Sequence, residues 1–562
     1  MPVTNIHSQP YYIGGEIKDR PSMAVQTPES LKARLNLDVR VSTVVTQIDT
    51  GKQFVVAKNL NASNGDSTYQ ETYDQLILAV GAAPLKPPIP GIDRPGLFSL
   101  RNLQDMDAIV AWIDKKKAKY PKMHAVVAGA GFIGLEMVEQ LHNRGMDVSL
   151  VELQKQILGP MDEGKCESIV PLTCLLALNF RYNSHSPFLE KTTEMVAYLH
   201  RDLEEHDINV IVDDAITEFA QAVGDDPELT QVKLRSGKNL EPAQITILGL
   251  GVRPDTDMVK AAGIACTPRG HIIVDEELRT SAKNVWAVGD SVQVKNPILE
   301  GEMWAVPLAG PANRQGRMVA DNIFGKGRKF KGTYATSLVR SFELYAACVG
   351  LNEKFLKAKS IPYGCVHVHS NSHAGYYPGA SQVHLKVIFD KTSGKIYGAQ
   401  AAGHDGVDKR IDVIATAMQG GMLVQDLAEV ELCYAPPIGA AKDPVNIAGM
   451  AAQNIIDGLV SQIEWHDLEP FVHDEKTIIL DVRNPAEIVK GKLADTAVNI
   501  PVNDLRSRLN ELPKDKHYIV TCASGQRAYY ACRILTQNGY KDVSTLGGAF
   551  ATFHAIHPQE LH

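Results

Sequence analysis

The stretch TCASGQRA, residues 521–528, sets a cysteine between an apolar run and a helical pattern, a setting in which sulfur can do chemistry. In Cys522-x-x-Gly525-x-Arg527 successive backbone N–H groups can point at one sulfur, which favours a thiolate or a persulfide. Arg527 can fix that loop or an incoming anion. The bland alternative is a packed, inert thiol, and Cys532, on the following helix, reads that way. A second chemistry lies in VVAGAGFIGLEMVEQLHNRGMDVSLVE, where GxGxxG falls at Gly129, Gly131 and Gly134, directly after a strand pattern and directly before a helical one. Gly129 permits the tight turn, Gly131 lets backbone approach a pyrophosphate, and Gly134 lets helix and strand pack closely. Glu152 ends the next strand. Its carboxylate can accept from a ribose 2′-hydroxyl and would repel a 2′-phosphate, so NADH is expected over NADPH.

Elements must hold these residues in place. HAVVAGA, the helix to about Arg144 and DVSLVE form a βαβ unit. Before it, RVSTVVTQID and KQFVVAKNL alternate as strands, YDQLILAVGAAP is a buried strand, and PLKPPIPGI marks a linker. After it, QITILGLGVRP and NVWAVGD return to buried strands ending in glycine. Gly81 with Pro84, and Asp290, thus sit at strand ends, either simply where a buried strand turns or at the ligand-binding edge of a doubly wound sheet. Strands HLKVIFD and KIYGAQAAG and a helix from 408 to 420 follow. Beyond a polar joint near Ser461, short strands and helices alternate in a small α/β domain.

The totals agree with small-molecule chemistry. A chain of 562 residues with 44% apolar and 22% charged residues allows about three to five domains. A net charge of −8, spread along the chain, implies neither a nucleic-acid surface nor a membrane patch. No apolar run approaches the ~20 residues that span a bilayer. The eight cysteines form no CxxC pair and no metal-ligand spacing, so no metal is expected. They read as reduced thiols in a cytoplasmic compartment.

In their order QTPESLKARLNLDVRV, YDQLILAVGAAP, GAGFIGLE, NVWAVGD, LCYAPPIGAAKDPVN and CASGQRA resemble the coenzyme A disulfide reductases fused to a rhodanese domain, which include NADH-dependent persulfide reductases. DVRNPAEIVKG and STLGGA flank the Cys522 loop in the same way. The resemblance implies an α/β two-dinucleotide-domain flavoprotein reductase using FAD and NADH, an α+β dimerisation domain and a C-terminal rhodanese domain. The boundaries expected are 1–112 with 246–330 for FAD, 120–245 for NAD, 331–456 for dimerisation and 462–562 for rhodanese. It also implies flavin contacts at Gly81, Asp290 and Ala309, the last on the helix of PLAGPANRQGRMVADNIFG. Tyr376 and Tyr434 would reach the partner's reductase site in a homodimer. The substrate implied is a small-molecule disulfide or persulfide, coenzyme A-linked.

Two departures from the pattern stand out. Pro10-Tyr11-Tyr12 matches the family's active-site loop, yet His7 occupies the place of its cysteine, and the strand and FAD phosphate loop with which the family opens read as missing before it. An imidazole cannot form a mixed disulfide. Residues 163–193 interrupt two pieces that the family joins directly, without a clear amphipathic period. Together they read as a truncated and interrupted family enzyme, which leaves sulfur transfer alone as the alternative activity. HSQPYYIGGEIKDR reads as an interior loop, Lys442-Asp443 as a loop or a site, and Cys433 as a buried thiol.

Overall fold

The computed structural model describes residues 8–61, 68–161, 194–224, 226–489 and 491–556. His7 and the interrupting segment 163–193 lie outside them. The chain divides into two compact units, Met1–Gln154 with His206–Ala335, and Lys155–Glu205 with Thr336–His562.

In the first unit the apolar run Met123–Ala128 forms the middle of a five-stranded parallel sheet. Its neighbours are Ile245–Leu248, then Leu97–Phe98, on one side and Met146–Val151, then Asn209–Ile211, on the other. Buried positions are near-continuous along the central strands because helices cover a parallel sheet on both faces. The helix Phe132–Asn143 follows the glycine turn and buries Leu135, Met137, Val138 and Leu141. A second parallel pair, Leu76–Leu78 with Val285–Ala287, brings the ends of YDQLILAVG and NVWAVGD side by side. Around it packs a core of Leu78, Val259, Ile272, Leu278 and Val292.

The opening stretch is a helix rather than the loop expected. Pro10 pre-sets the first turn of Gln9–Gly14, and Gly15 ends it at φ 91°, a left-handed conformation that suits glycine. Ile13 is fully buried, and Gln140 of the helix Phe132–Asn143 donates to Glu16 at 2.8 Å. The glycine pair that suggested a turn is therefore a helix cap.

The second unit holds two modules. An antiparallel sheet runs Ser337–Ser341, Leu344–Gly350, Ile396–Gly403, Gln382–Phe389 and Gly364–Asn371. Ile396–Gly403 is buried at each position, so both faces are covered; Val407–Gly420, Pro444–Ile456 and Glu194–Glu205 pack against this sheet. The C-terminal module is a parallel sheet ordered Ser461–Ile463, Val543–Leu546, His517–Thr521, Thr477–Asp481 and Val498–Asn499. His369, on the antiparallel sheet, places Nε2 3.1 Å from the Gly548 carbonyl, tying that sheet to the turn before the helix Ala549–Ile556. Among the described residues no helix is long and apolar enough to cross a membrane.

Candidate functional site

The first site is the glycine turn of the parallel sheet. Gly129 sits at φ +98°, and a Cβ there would collide with the Gly249 carbonyl. A Cβ on Gly134 would collide with the Gly129 carbonyl, so this glycine sets the helix against its strand. Gly131 is different. It caps the helix Phe132–Asn143 with no side-chain hydrogen bond, is exposed, and has open space where a Cβ would be. That is the opening through which a pyrophosphate reaches unpaired helix N–H groups. Glu152 closes the turn: one carboxylate oxygen accepts from Ala130 N and the other from Gln154 N, both at 2.8 Å. A carboxylate so held keeps lone pairs for a ribose hydroxyl. These residues fit a dinucleotide.

For a flavin, the same unit supplies the edge at the Leu76–Leu78 and Val285–Ala287 pair. Gly81 is left-handed at φ +67°, and Asp290 lies in the single turn Gly289–Ser291. Gln315, on the helix Ala309–Ile323, accepts from Gly289 N at 2.7 Å, which brings that helix to the turn. The N-terminus of this helix, at Ala309, has no side-chain cap. These residues fit the ribityl end of FAD. The sequence holds one GxGxxG, at Gly129–Gly134, so the described residues offer the flavin pyrophosphate no second cradle of that kind.

The sulfur site lies in the second unit. Thr521 ends the central strand of the parallel sheet, and Cys522 opens the loop to the helix Gln526–Gln537. Gly525, at φ +100°, turns its N–H onto Cys522 Sγ at 3.1 Å. Phe550 N donates to the Cys522 carbonyl and Ala551 N to that of Ala523, both at 3.0 Å, so the loop is held from behind. Arg527 is locked by a bidentate pair with Glu487, both bonds 2.7 Å, which raises the guanidinium pKa further. The same pair holds the Glu487 carboxyl at about 2, against an ordinary 4.5. Cys532 is core, as expected: burial pushes its thiol up to about 12.

The Glu487 pair carries a prediction with a definite sign. A depressed carboxyl contributes stability that is present above pH 4.5 and is lost as pH falls toward about 2. Both side chains are about a third exposed, so screening reduces the contribution to roughly 1 kcal/mol. Glu487→Gln is therefore expected to lower stability by that amount at neutral pH and to converge with wild type near pH 2, as urea unfolding at several pH values would show.

Tyr376 and Tyr434, from different loops, are brought together: a hydrogen bond between them raises the Tyr434 pKa. Both are exposed, at 79% and 50%. Cys433 is exposed, not buried as expected. Its apolar setting, with Tyr434 and Ile438 also in the open, is a surface patch and not a core segment. Asp443 is structural. It is 2% exposed, caps the helix Pro444–Ile456 through Val445 N, and pairs with Arg410 at 2.9 Å. Sequence reasoning missed Glu487 as the partner of Arg527, although NPAE is a helix-capping pattern that places a carboxylate there.

A dinucleotide cradle in one unit and a cysteine loop in the other define an oxidoreductase joined to a sulfur-handling module. Family models agree. Pyridine nucleotide-disulphide oxidoreductase matches residues 6–170 and 185–316, its dimerisation domain matches 337–443, and a rhodanese-like domain matches 465–556. The chain belongs to the pyridine nucleotide-disulphide oxidoreductase family and carries a C-terminal rhodanese-like domain, as the resemblance implied. The family is FAD-dependent and uses NAD(H). The coenzyme A disulfide reductase of Staphylococcus epidermidis is 31% identical, over 79% of this chain and 90% of its own length. The crystal structure of reduced Bacillus anthracis CoADR-RHD superimposes with a TM-score of 0.89 at 42% identity, covering 99% of this chain and 92% of that one. A NAD-dependent persulfide reductase from A. fulgidus gives 0.83 at 32% identity, over 98% and 93%.

Proposed function

We propose that the chain is an FAD- and NADH-dependent reductase of coenzyme A disulfide or of persulfide sulfur, coupled to a rhodanese sulfurtransferase. The observation that carries this is the presence of both site geometries, the open Gly131 turn and the Gly525 N–H on Cys522 Sγ, in one chain. The two solved relatives match almost the whole of it. When bound, FAD supplies the two-electron chemistry between NADH and sulfur. The protein's part is positional. Gly131 admits the NADH pyrophosphate, and Glu152 accepts from the adenosine ribose and repels a 2′-phosphate. Gly81, Asp290 and the helix starting at Ala309 hold the flavin. Tyr376 and Tyr434 present hydroxyls at the substrate sulfur from a homodimer partner.

In the rhodanese-like module, Cys522 Sγ attacks the outer sulfur of a donor such as thiosulfate. The S–S bond breaks, sulfite leaves with the electron pair, and the sulfur stays on Cys522 as a persulfide. Backbone N–H groups of the loop hold its charge, and a thiolate acceptor then removes the sulfur. The exposed Tyr376 and Tyr434 suit a homodimer, and cysteines without a disulfide among the described residues suit a reducing cytoplasm.

A second reading, sulfur transfer alone, is favoured by His7 where the family has cysteine. The absorbance spectrum of the purified chain separates the two. The reductase reading expects flavin bands near one per chain that bleach when NADH is added. A colourless protein that still transfers sulfur from thiosulfate to cyanide would leave the second reading standing. Glu152→Ala is expected to raise the KM for NADH about tenfold and to narrow its advantage over NADPH, since the change removes roughly 1.4 kcal/mol of ribose recognition and the repulsion together.

A further inference from the structure

The strand Gly364–Asn371 reads GCVHVHSN, and because alternate residues of a strand share a face, Cys365, His367 and His369 point the same way. Around the first two lies a buried polar cluster. Lys386, fully buried, is hydrogen-bonded to Glu194 and, at 2.7 Å, to Glu353. His367, 1% exposed, places Nε2 3.2 Å from Glu194 Oε1. The Glu194 carboxylate is held well below its ordinary range by Lys386 and His367 against the opposing effect of burial, so it accepts and the ring donates. The other ring nitrogen, Nδ1, is buried and has no hydrogen-bond partner.

Glu464 enters from the chain just after the strand Ser461–Ile463 of the rhodanese-like module. Gln462 aims it, donating to Glu464 Oε1 at 2.8 Å while also donating to the Cys365 carbonyl at 2.9 Å. The thiol of Cys365, a ring nitrogen of His367 and a carboxylate oxygen of Glu464 all lie within 4.8 Å of one another. Burial first, and then the carboxylates Glu464, Glu353 and Glu194 against the opposing Lys386, push the Cys365 thiol well above its ordinary range.

We propose that Cys365, His367 and Glu464 bind one divalent zinc ion, which fastens the antiparallel module to the first strand of the rhodanese-like module. Sulfur, imidazole and carboxylate together are a donor set that zinc accepts, with a fourth position for water. The Glu194–His367 hydrogen bond fixes the ring as carboxylates do behind zinc-bound histidines. On binding, the Cys365 S–H proton passes to solvent and the sulfur donates as a thiolate.

The test uses the full chain, dialysed against chelator and titrated with zinc and then with cobalt(II). One zinc per chain is expected, and the cobalt form should show a thiolate-to-metal charge-transfer band. Cys365→Ser should abolish that band, Cys522→Ser should retain it, and Glu464→Gln should weaken zinc binding at least about tenfold. Glu464 is only half-buried, so its variant keeps the question open to measurement even where Cys365→Ser fails to fold. Substoichiometric zinc with no band, a band that survives Cys365→Ser, a band lost in Cys522→Ser, or unchanged affinity in Glu464→Gln would each overturn the proposal.

Discussion

Cys522→Ser is expected to cut thiosulfate-to-cyanide sulfur transfer by a thousandfold or more, roughly the scale of losing a catalytic nucleophile. A serine hydroxyl fits the loop but has no sulfur with which to form the persulfide. The fold should not suffer. Cys522 is 1% exposed in a core of Val520, Ala528, Ala531 and Leu535, and oxygen for sulfur is a small change of volume there. The steady-state assay of the two proteins, with matching unfolding curves, checks this. Equal sulfur transfer in the variant would remove Cys522 from the chemistry.

The second large effect is on stability. Lys386→Met would leave Glu194 and Glu353, 2% and 8% exposed as side chains, without their shared ammonium. Breaking a buried ion pair on one side strands a charge, at a cost of roughly 3–5 kcal/mol. Lys386→Met with Glu353→Gln should recover part of that, because one fewer carboxylate is then stranded. Equilibrium urea unfolding at fixed chain concentration measures both. If Lys386→Met unfolds like wild type, the buried cluster is not the support described.

What was legible in the sequence follows from how local each feature is. The turn at Gly129, Gly131 and Gly134 is a contiguous device whose steric demands act within a few residues, so its pattern can be read directly. Glu152 follows because the next parallel strand must end beside the turn. The Cys522 loop is also local, from the strand His517–Thr521 to the helix Gln526–Gln537. The partner that fixes it is not. Glu487 lies forty residues earlier and meets Arg527 only because Thr477–Asp481 and His517–Thr521 are sheet neighbours. Cys365, His367 and Glu464 show the same limit more strongly. Cys365 and His367 lie two residues apart on one strand, but Glu464 arrives from the neighbouring module.

The misreadings have physical causes too. The stretch at residues 7–20 reads as an interior loop, whereas Pro10 in the first helical turn and the fully buried Ile13 make Gln9–Gly14 a short helix. Cys433 reads as a buried thiol in the sequence, yet it is exposed in the company of exposed Tyr434 and Ile438. That company lies within the match to the dimerisation domain, where an exposed apolar patch on one chain is what a second chain would cover.

The most direct test of the account is anaerobic NADH consumption by the purified chain, loaded with FAD, with coenzyme A disulfide or coenzyme A persulfide as acceptor. The account predicts that NADH is consumed beyond one equivalent per flavin only when an acceptor is present, with NADH preferred to NADPH. Flavin-loaded protein that leaves NADH untouched with either acceptor, while Cys522-dependent sulfur transfer continues, would contradict it.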